Sequence, residues 1–216
     1  LEAALKQGIM LANLAPNGYM IPGKMDLTLM QDAAPLVIMP ETGMAASLSN
    51  APGGWRNGVY PSTLMGVMSR YRQLWYDAQA LHDHIEHYEA GNVAKPPVRN
   101  EGLEAMFPYL KKEKSLYIVV DNPEDIERVF KLQDELDFDW VLVSGKMAHH
   151  KADELKARNI PVLATFAFDG EAPKKKKDKK DKDDKEELSD EQKAFMERKE
   201  AARKDQIQNI KNLMKA

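Results

Sequence analysis

The chain has 216 residues, a formal net charge of −3 and no cysteine. The missing cysteines exclude disulfides and thiolate metal sites, and the slightly acidic charge gives no reason to expect nucleic-acid binding. No apolar run approaches the roughly 20 residues that a membrane-spanning helix requires. The sequence starts at Leu1 and ends within a helical pattern, so we expect residues 1–216 to be part of a longer protein, truncated at both ends.

The first third of the sequence is irregular, with turn residues between short apolar runs. Residues 8–14 and 35–39 predict two short strands, and Pro22 with the following glycine predicts a turn between them. The stretch 43–58 is rich in Gly, Ser, Asn and Pro, and it predicts a long loop.

A long amphipathic helix is predicted next. Apolar side chains recur at three- and four-residue steps from Leu64 to Tyr88, behind a Pro-Ser-Thr cap sequence, and Gly91 ends the pattern. Asn100 then predicts the cap of a short helix over residues 101–110.

The clearest pattern follows, with three strands separated by two helices. The strands are predicted at Leu116–Val120, 140–143 and 160–166, and the helices at 122–135 and 146–158. The first of these strands is a continuous apolar run, typical of a strand covered on both faces, and the short connections favour a parallel sheet with right-handed crossovers. The sequence therefore predicts an α/β fold with parallel strands and helical crossovers.

The composition changes after this repeat. Residues 174–187 consist entirely of Lys, Asp and Glu, which cannot bury apolar surface, so 170–188 is predicted to be a disordered insertion. A last helix is predicted from Ser189, which has capping-box spacing to Gln192. The apolar side of that helix is assigned to Phe195, Ile207, Ile210, Leu213 and Met214.

The histidines fall into two groups. In the predicted long helix, the ends of His82-Asp83-His84 diverge by roughly 200 degrees, so we interpret this group as solvated rather than as a metal site. His84 and His87 share a helix face, but no third ligand accompanies them. His149 and the neighbouring histidine follow the second parallel strand, where sites of α/β proteins form, so His149 is a candidate substrate-binding residue. The alternative is a polar first turn of the next helix.

Asp121 and Asn122 follow Leu116–Val120 and are further candidates for substrate binding. Asn122 is also a good helix cap in front of Pro123, and this second interpretation is favoured. Nucleotide-binding glycine motifs, a serine elbow and a cysteine nucleophile are absent from the sequence. We assign no catalytic residue and no metal ligand within the chain.

Several segments, in their order and spacing, resemble the imidazolonepropionase-like group of the amidohydrolase superfamily. They are NGYMIPGK (17–24), YPSTLMG (60–66), NEGLEAMFPYL (100–110), VLVSG (141–145) and ADELKARNIPVLAT (152–165). The likeness covers nearly the whole chain, as the central part of one barrel domain. It is closest to long secreted proteins of Bacteroidetes type, which suggests a periplasmic or secreted location.

This resemblance implies a (β/α)8 TIM-type barrel with one or two divalent metals, often zinc, that hydrolyses C–N bonds through a metal-bound water. It implies metal ligands after the first, fourth, fifth, sixth and eighth strands, with histidines after the fifth and sixth. Leu116–Val120 resembles the fifth strand, yet no histidine stands at its end, and the next strand ends in Ser144 and Gly145. We therefore expect a degenerate metal site, no cofactor held by this chain, and a barrel completed by the rest of the parent protein.

Two functions remain open. One is a hydrolase whose chemistry comes from residues outside this chain, acting on a small-molecule or peptide substrate. The other is a non-catalytic barrel that binds or scaffolds. A third interpretation, an open doubly wound domain, explains the parallel strands but leaves the long first third unexplained.

Overall fold

The structure, a computed structural model, describes residues 5–31, 34–50, 59–165 and 190–215, with side chains from residue 194 in the last range. Within these ranges, no helix combines the length and the apolar composition that crossing a bilayer requires.

The strands are β1 (Leu11–Leu14), β2 (Gly23–Leu29), β3 (Leu36–Ser47), β4 (Leu116–Val120), β5 (Trp140–Ser144) and β6 (Val162–Ala164). The helices are α1 (Leu64–Glu89), α2 (Glu101–Glu104), α3 (Phe107–Leu110), α4 (Pro123–Leu136), α5 (Ala152–Ala157) and α6 (Asp190–Leu213), and a 3-10 turn (Ala148–Lys151) precedes α5.

The order of the strands in the sheet follows the order of the chain throughout. Strands β1, β2 and β3 form an antiparallel meander, whereas β3, β4, β5 and β6 pair in parallel. Each parallel step moves in the same direction, and right-handed crossovers then place the connecting helices on one face of the sheet. A doubly wound sheet reverses its strand order at a switch point, and the described strands contain no such reversal.

The hydrophobic core lies between one face of the sheet and the helices. On this face the side chains of Leu116, Ile118 and Leu142 are at most 2% exposed, and they pack with apolar residues of α1 and α4. On the opposite face Val119 is 46% exposed and Leu163 is 53% exposed. The described helices therefore cover one face of β4, and coverage of its second face stays a prediction for the longer protein.

Helices α1 and α4 confirm the predicted patterns. The Thr63 hydroxyl accepts a hydrogen bond from the backbone amide of Gly66 at 3.1 Å, which caps α1. Helix α4 begins at Pro123 and ends at Leu136, where the left-handed backbone of Asp137 (φ 54°) stops the helix. Its buried side chains are Ile126, Val129, Phe130, Leu132 and Leu136.

Tyr71 of α1 connects the helix layer to the end of β3. Its buried hydroxyl lies 3.0 Å from the carbonyl oxygen of Met20 and 2.9 Å from that of Ser47. Burial raises the pKa of the Tyr71 hydroxyl above its usual range, so the group remains a donor at any physiological pH. This contact fixes the position at which β3 reaches the carboxyl edge of the sheet.

The predicted loop over residues 43–58 is wrong in its first part, because β3 continues through residue 47. Gly43 lies against the ring of Tyr117 in β4, and an added Cβ would come within 2.4 Å of the ring atom Cε2. The glycine therefore permits close approach of two strands rather than marking a loop. Residues 51–58 lie outside the described ranges.

Strand β2, which the sequence did not predict, begins at Gly23, where a turn was expected.

Other element boundaries also differ from the predictions. The short helix over 101–110 is divided into α2 and α3, although the side chain of Asn100 caps α2 as expected. The helix predicted over 146–158 is a 3-10 turn followed by the short helix α5. Strand β6 has three residues, fewer than predicted. The predicted insertion at 170–188 and the capping residue Ser189 lie outside the described residues.

The contact side of helix α6 only partly matches the predicted apolar side. Phe195, Ile207 and Met214 are 65%, 48% and 84% exposed, whereas the polar residues Gln206 and Asn209 are buried. Leu213 packs against the core and Ile210 is half-buried, so the predicted apolar side is confirmed at these two residues and wrong at the other three.

Candidate functional site at the carboxyl edge of the parallel strands

The loops that follow β4 and β5 are joined at the carboxyl edge of the sheet. The backbone amide of Gly145 donates to the carbonyl of Val120 at 2.9 Å, and the amide of Met147 donates to the carbonyl of Asp121 at 3.1 Å. Gly145 has a left-handed backbone (φ +53°), and an added Cβ would come within 2.5 Å of the Leu142 side chain. Glycine is required there for the chain to turn away from β5.

Asp121 and Asn122, both candidates from the sequence, line one cleft of about 290 Å³, together with Ser47 and Ser49 from the end of β3. The carboxylate of Asp121 is held by Lys146, whose amide nitrogen lies 3.4 Å from Oδ1 and whose ammonium nitrogen lies 3.7 Å from Oδ2. The cleft therefore offers hydroxyl, amide and carboxylate groups that can hydrogen-bond a polar ligand.

Asn122 occupies the N-cap position of α4, as predicted, but its side chain does not accept the capping hydrogen bond. Instead its Nδ2 donates to Oδ2 of Asp125 at 3.4 Å. Asn122 also borders a second cleft, of about 450 Å³, which Glu124, Met147 and His150 line. Its amide therefore lies between the two clefts.

His149 does not join Asp121 and Asn122. Its side chain is 8% exposed, and its Nδ1 lies 2.9 Å from Oδ1 of Asn209, while its backbone amide donates to the same oxygen at 3.0 Å. Its Nε2 lies 3.0 Å from Oδ1 of Asp205. The structure thus separates the sequence candidates into a polar cleft and a histidine cluster.

The histidine cluster consists of His149, His150, Asp205 and Asn209. Nε2 of His150 lies 2.7 Å from Oδ2 of Asp205, and the two imidazole rings stack with centroids 4.1 Å apart. Burial raises the pKa of Asp205, but the hydrogen bond from His150 and the charges of both histidines outweigh burial and hold it below its usual range.

Asn209 is 1% exposed, and its Nδ2 donates to the carbonyl of Gly145 at 2.7 Å. Sequence reasoning missed Asp205 and Asn209, since it assigned the contact face of α6 to apolar residues. Their spacing of four residues, which places them on one helix face, was the available signal.

The histidines of α1 do not form a shared site. His82 packs edge-on against the ring of Phe107 at 5.0 Å, so the interpretation of this residue as solvated is wrong. Nε2 of His84 lies 3.0 Å from the carbonyl of Lys95, and Nδ1 of His87 lies 3.5 Å from the side-chain nitrogen of Asn92. The two histidines with a common helix face therefore have separate partners.

The strand ends do not fit the metal site that the sequence resemblance implies. Strand β4 ends in Val120, β5 in Ser144 and β6 in Ala164, and none of these side chains is an imidazole or a carboxylate. Asp121 follows β4, but its carboxylate is engaged by Lys146. The described strand ends thus supply no ligand set of the expected kind.

No protein-family model and no curated protein matches the chain. Among solved structures, an amidohydrolase from Thermotoga maritima MSB8 is similar, with a TM-score of 0.68 and 18% sequence identity. The match covers 76% of this chain and 44% of that one, so the chain spans less than half of the length of that structure. At this identity the likeness concerns the fold. The chain is an α/β protein whose parallel strands and helical crossovers form part of a (β/α)8 TIM-type barrel.

Proposed function

We propose that the protein containing this chain is a hydrolase of the amidohydrolase kind that acts on C–N bonds. The observation that carries this proposal is the fold shared with the Thermotoga maritima amidohydrolase over 76% of the chain. In this proposal the chain supplies one part of the barrel wall, and the rest of the parent protein completes the barrel. The segments quoted above support the imidazolonepropionase-like group and a periplasmic or secreted location as the finer assignment.

The proposed contribution of this chain to the substrate site is the polar cleft beside Asp121 and Asn122. A side-chain amide both donates and accepts hydrogen bonds, which suits the N–H and C=O groups of a small amide or peptide substrate. Asn122 is the better placed of the two, since Asp121 is engaged by Lys146. The zinc of the family would be held by residues outside this chain, because the described strand ends do not fit it.

A second candidate function is a non-catalytic barrel that binds a ligand. The observation that favours it is the aliphatic or hydroxyl character of Val120, Ser144 and Ala164, at strand ends where ligands for a metal are expected. In that case the two clefts at the carboxyl edge serve recognition alone.

The test uses the full-length protein and a panel of small amides, cyclic amides and dipeptides, with the released amine as the readout. We expect Asn122→Ser, which preserves a good helix cap, to raise KM about tenfold, equivalent to about 1.4 kcal/mol of lost hydrogen bonding, with kcat unchanged. Asn92→Ser, outside the cleft, is the matched control and should leave KM unchanged. If the panel members bind but are not cleaved, the non-catalytic function is the correct one. If they neither bind nor react, both proposals are wrong.

A further inference from the structure

We propose that His149, His150 and Asp205 bind a divalent transition-metal ion, with zinc as the preferred ion, and that this ion fastens α6 to the loop after β5. The ligand atoms that these three residues offer all lie within 4.8 Å of one another. Two imidazoles and a carboxylate are a common zinc ligand set. The site is separate from the strand ends discussed above and does not depend on the proposed hydrolase function.

The distances inside the cluster fit a shared ion. Ligand atoms that each lie about 2.0–2.2 Å from one zinc ion are roughly 3 Å from one another. Nε2 of His149 lies 3.0 Å from one carboxylate oxygen of Asp205, and Nε2 of His150 lies 2.7 Å from the other. Small side-chain adjustments therefore suffice to place an ion between the two rings and the carboxylate.

Asn209 fixes the ring orientation and the tautomer of His149, as hydrogen-bond partners of metal-bound histidines usually do. Its amide is fixed from two sides, because Nδ2 donates to the carbonyl of Gly145 and Oδ1 accepts from the backbone amide of His149. Oδ1 therefore faces Nδ1 of His149, which must carry the proton of that 2.9 Å contact. In a neutral ring this leaves the lone pair on Nε2, directed toward Asp205, as metal coordination requires.

The charges in the cluster also favour a cation. The two stacked rings share a single carboxylate, and each Nε2 can hydrogen-bond it only if that nitrogen carries a proton. With Nδ1 of His149 already donating to Asn209, this arrangement requires a second proton on that ring, whose centroid lies 4.1 Å from that of His150. One divalent ion bound through the unprotonated Nε2 atoms satisfies all three side chains, and it replaces the protons on those two atoms.

The site is accessible from one side. His149 is buried, whereas the side chains of His150 and Asp205 are 45% and 32% exposed. The cleft of about 450 Å³ next to His150, lined also by Glu124 and Met147, leaves room for water as a further ligand. With Asp205 and Asn209 both on α6, occupation of the site fastens that helix to residues 145–150.

The test is calorimetric titration of the full-length protein with zinc ion alone, after removal of bound metal with a chelator. Because the parent protein can hold zinc elsewhere, the readout is the difference between variants. We expect His150→Ala and Asp205→Asn each to lower the affinity for one equivalent of zinc by at least about tenfold. Loss of a group that only hydrogen-bonds a metal ligand already lowers metal affinity by that factor. The control is His84→Ala, which lies in α1 and should leave the binding of every zinc equivalent unchanged. His82→Ala tests the other group that could hold a metal ion, His82, Asp83 and Glu86.

A second measurement distinguishes zinc coordination from simple ion pairs of the two histidines with Asp205. We expect zinc to slow amide hydrogen exchange in α6 of the wild-type protein and to have no effect on α6 in His150→Ala. His150 is half-exposed, so this variant should fold, and circular dichroism will verify its folding before each titration. If wild type and His150→Ala bind the same number of zinc equivalents with equal affinity, or if His82→Ala loses the equivalent instead, the proposal is wrong.

Discussion

Replacing Asn209 by alanine should detach α6 from the loop after β5. Asn209 is 1% exposed and forms contacts of 3.0 Å and 2.9 Å with the backbone amide and Nδ1 of His149, and one of 2.7 Å with the carbonyl of Gly145. The carbonyl keeps a second donor, the amide of Ala148, so the main loss falls on the two donors of His149. Each buried group left without a partner costs roughly 1–3 kcal/mol, which gives a total of roughly 2–6 kcal/mol for the two donors.

Amide hydrogen exchange of α6 is the most direct assay, because it reports the local opening of this helix rather than unfolding of the whole protein. The matched control is Gln208→Ala, which changes an exposed neighbour on the same helix and has a similar small effect on helix propensity. We expect much faster exchange in Asn209→Ala than in Gln208→Ala, measured in the absence of added metal. Equal exchange in the two variants would show that Asn209 does not hold the helix, and the reasoning from its contacts would be refuted.

Four further predictions concern the rest of the chain. Tyr71→Phe should lower the free energy of unfolding by roughly 1–3 kcal/mol in chemical denaturation, because the one buried O–H that the carbonyls of Met20 and Ser47 share is lost. Gly145→Ala should cost roughly 1–2 kcal/mol or more in the same assay, since alanine is strained at φ +53°. The hydrogen bond from Arg158 holds the pKa of Asp134 below its usual range. The ion pair between Arg158 and Asp134 is therefore stabilising above the ordinary carboxyl pKa, and its contribution disappears as the pH falls through the lowered pKa of Asp134. Asp134→Asn should accordingly reduce the decrease of the melting temperature at acid pH. Limited trypsin digestion should cleave first within residues 174–185, and an intact segment at the end of the digest would contradict the predicted disorder.

Local sequence patterns predicted the parts of the fold that depend on neighbouring residues. The apolar run Leu116–Val120 is a strand with the predicted bounds, and the proline and the apolar spacing of α4 correctly placed its start and its buried side. The stretch 43–47 was misassigned because Gly and Ala are poor strand formers in isolation. Its strand conformation comes from pairing with β4, which lies about 70 residues later in the sequence and leaves room for Gly43 but not for a side chain.

The sequence by itself determined the α/β class, the parallel strands and the candidate residues at their carboxyl ends, because periodicity and turn chemistry are local properties. Only the tertiary structure decided which of these residues meet. It placed Asp121 and Asn122 at one cleft, and it joined His149 to Asp205, 56 residues away, through the docking of α6. The physical reason is that a contact between distant segments depends on how the helix packs, and a single buried polar residue, Asn209, marks the docked face of α6 more clearly than the apolar pattern did.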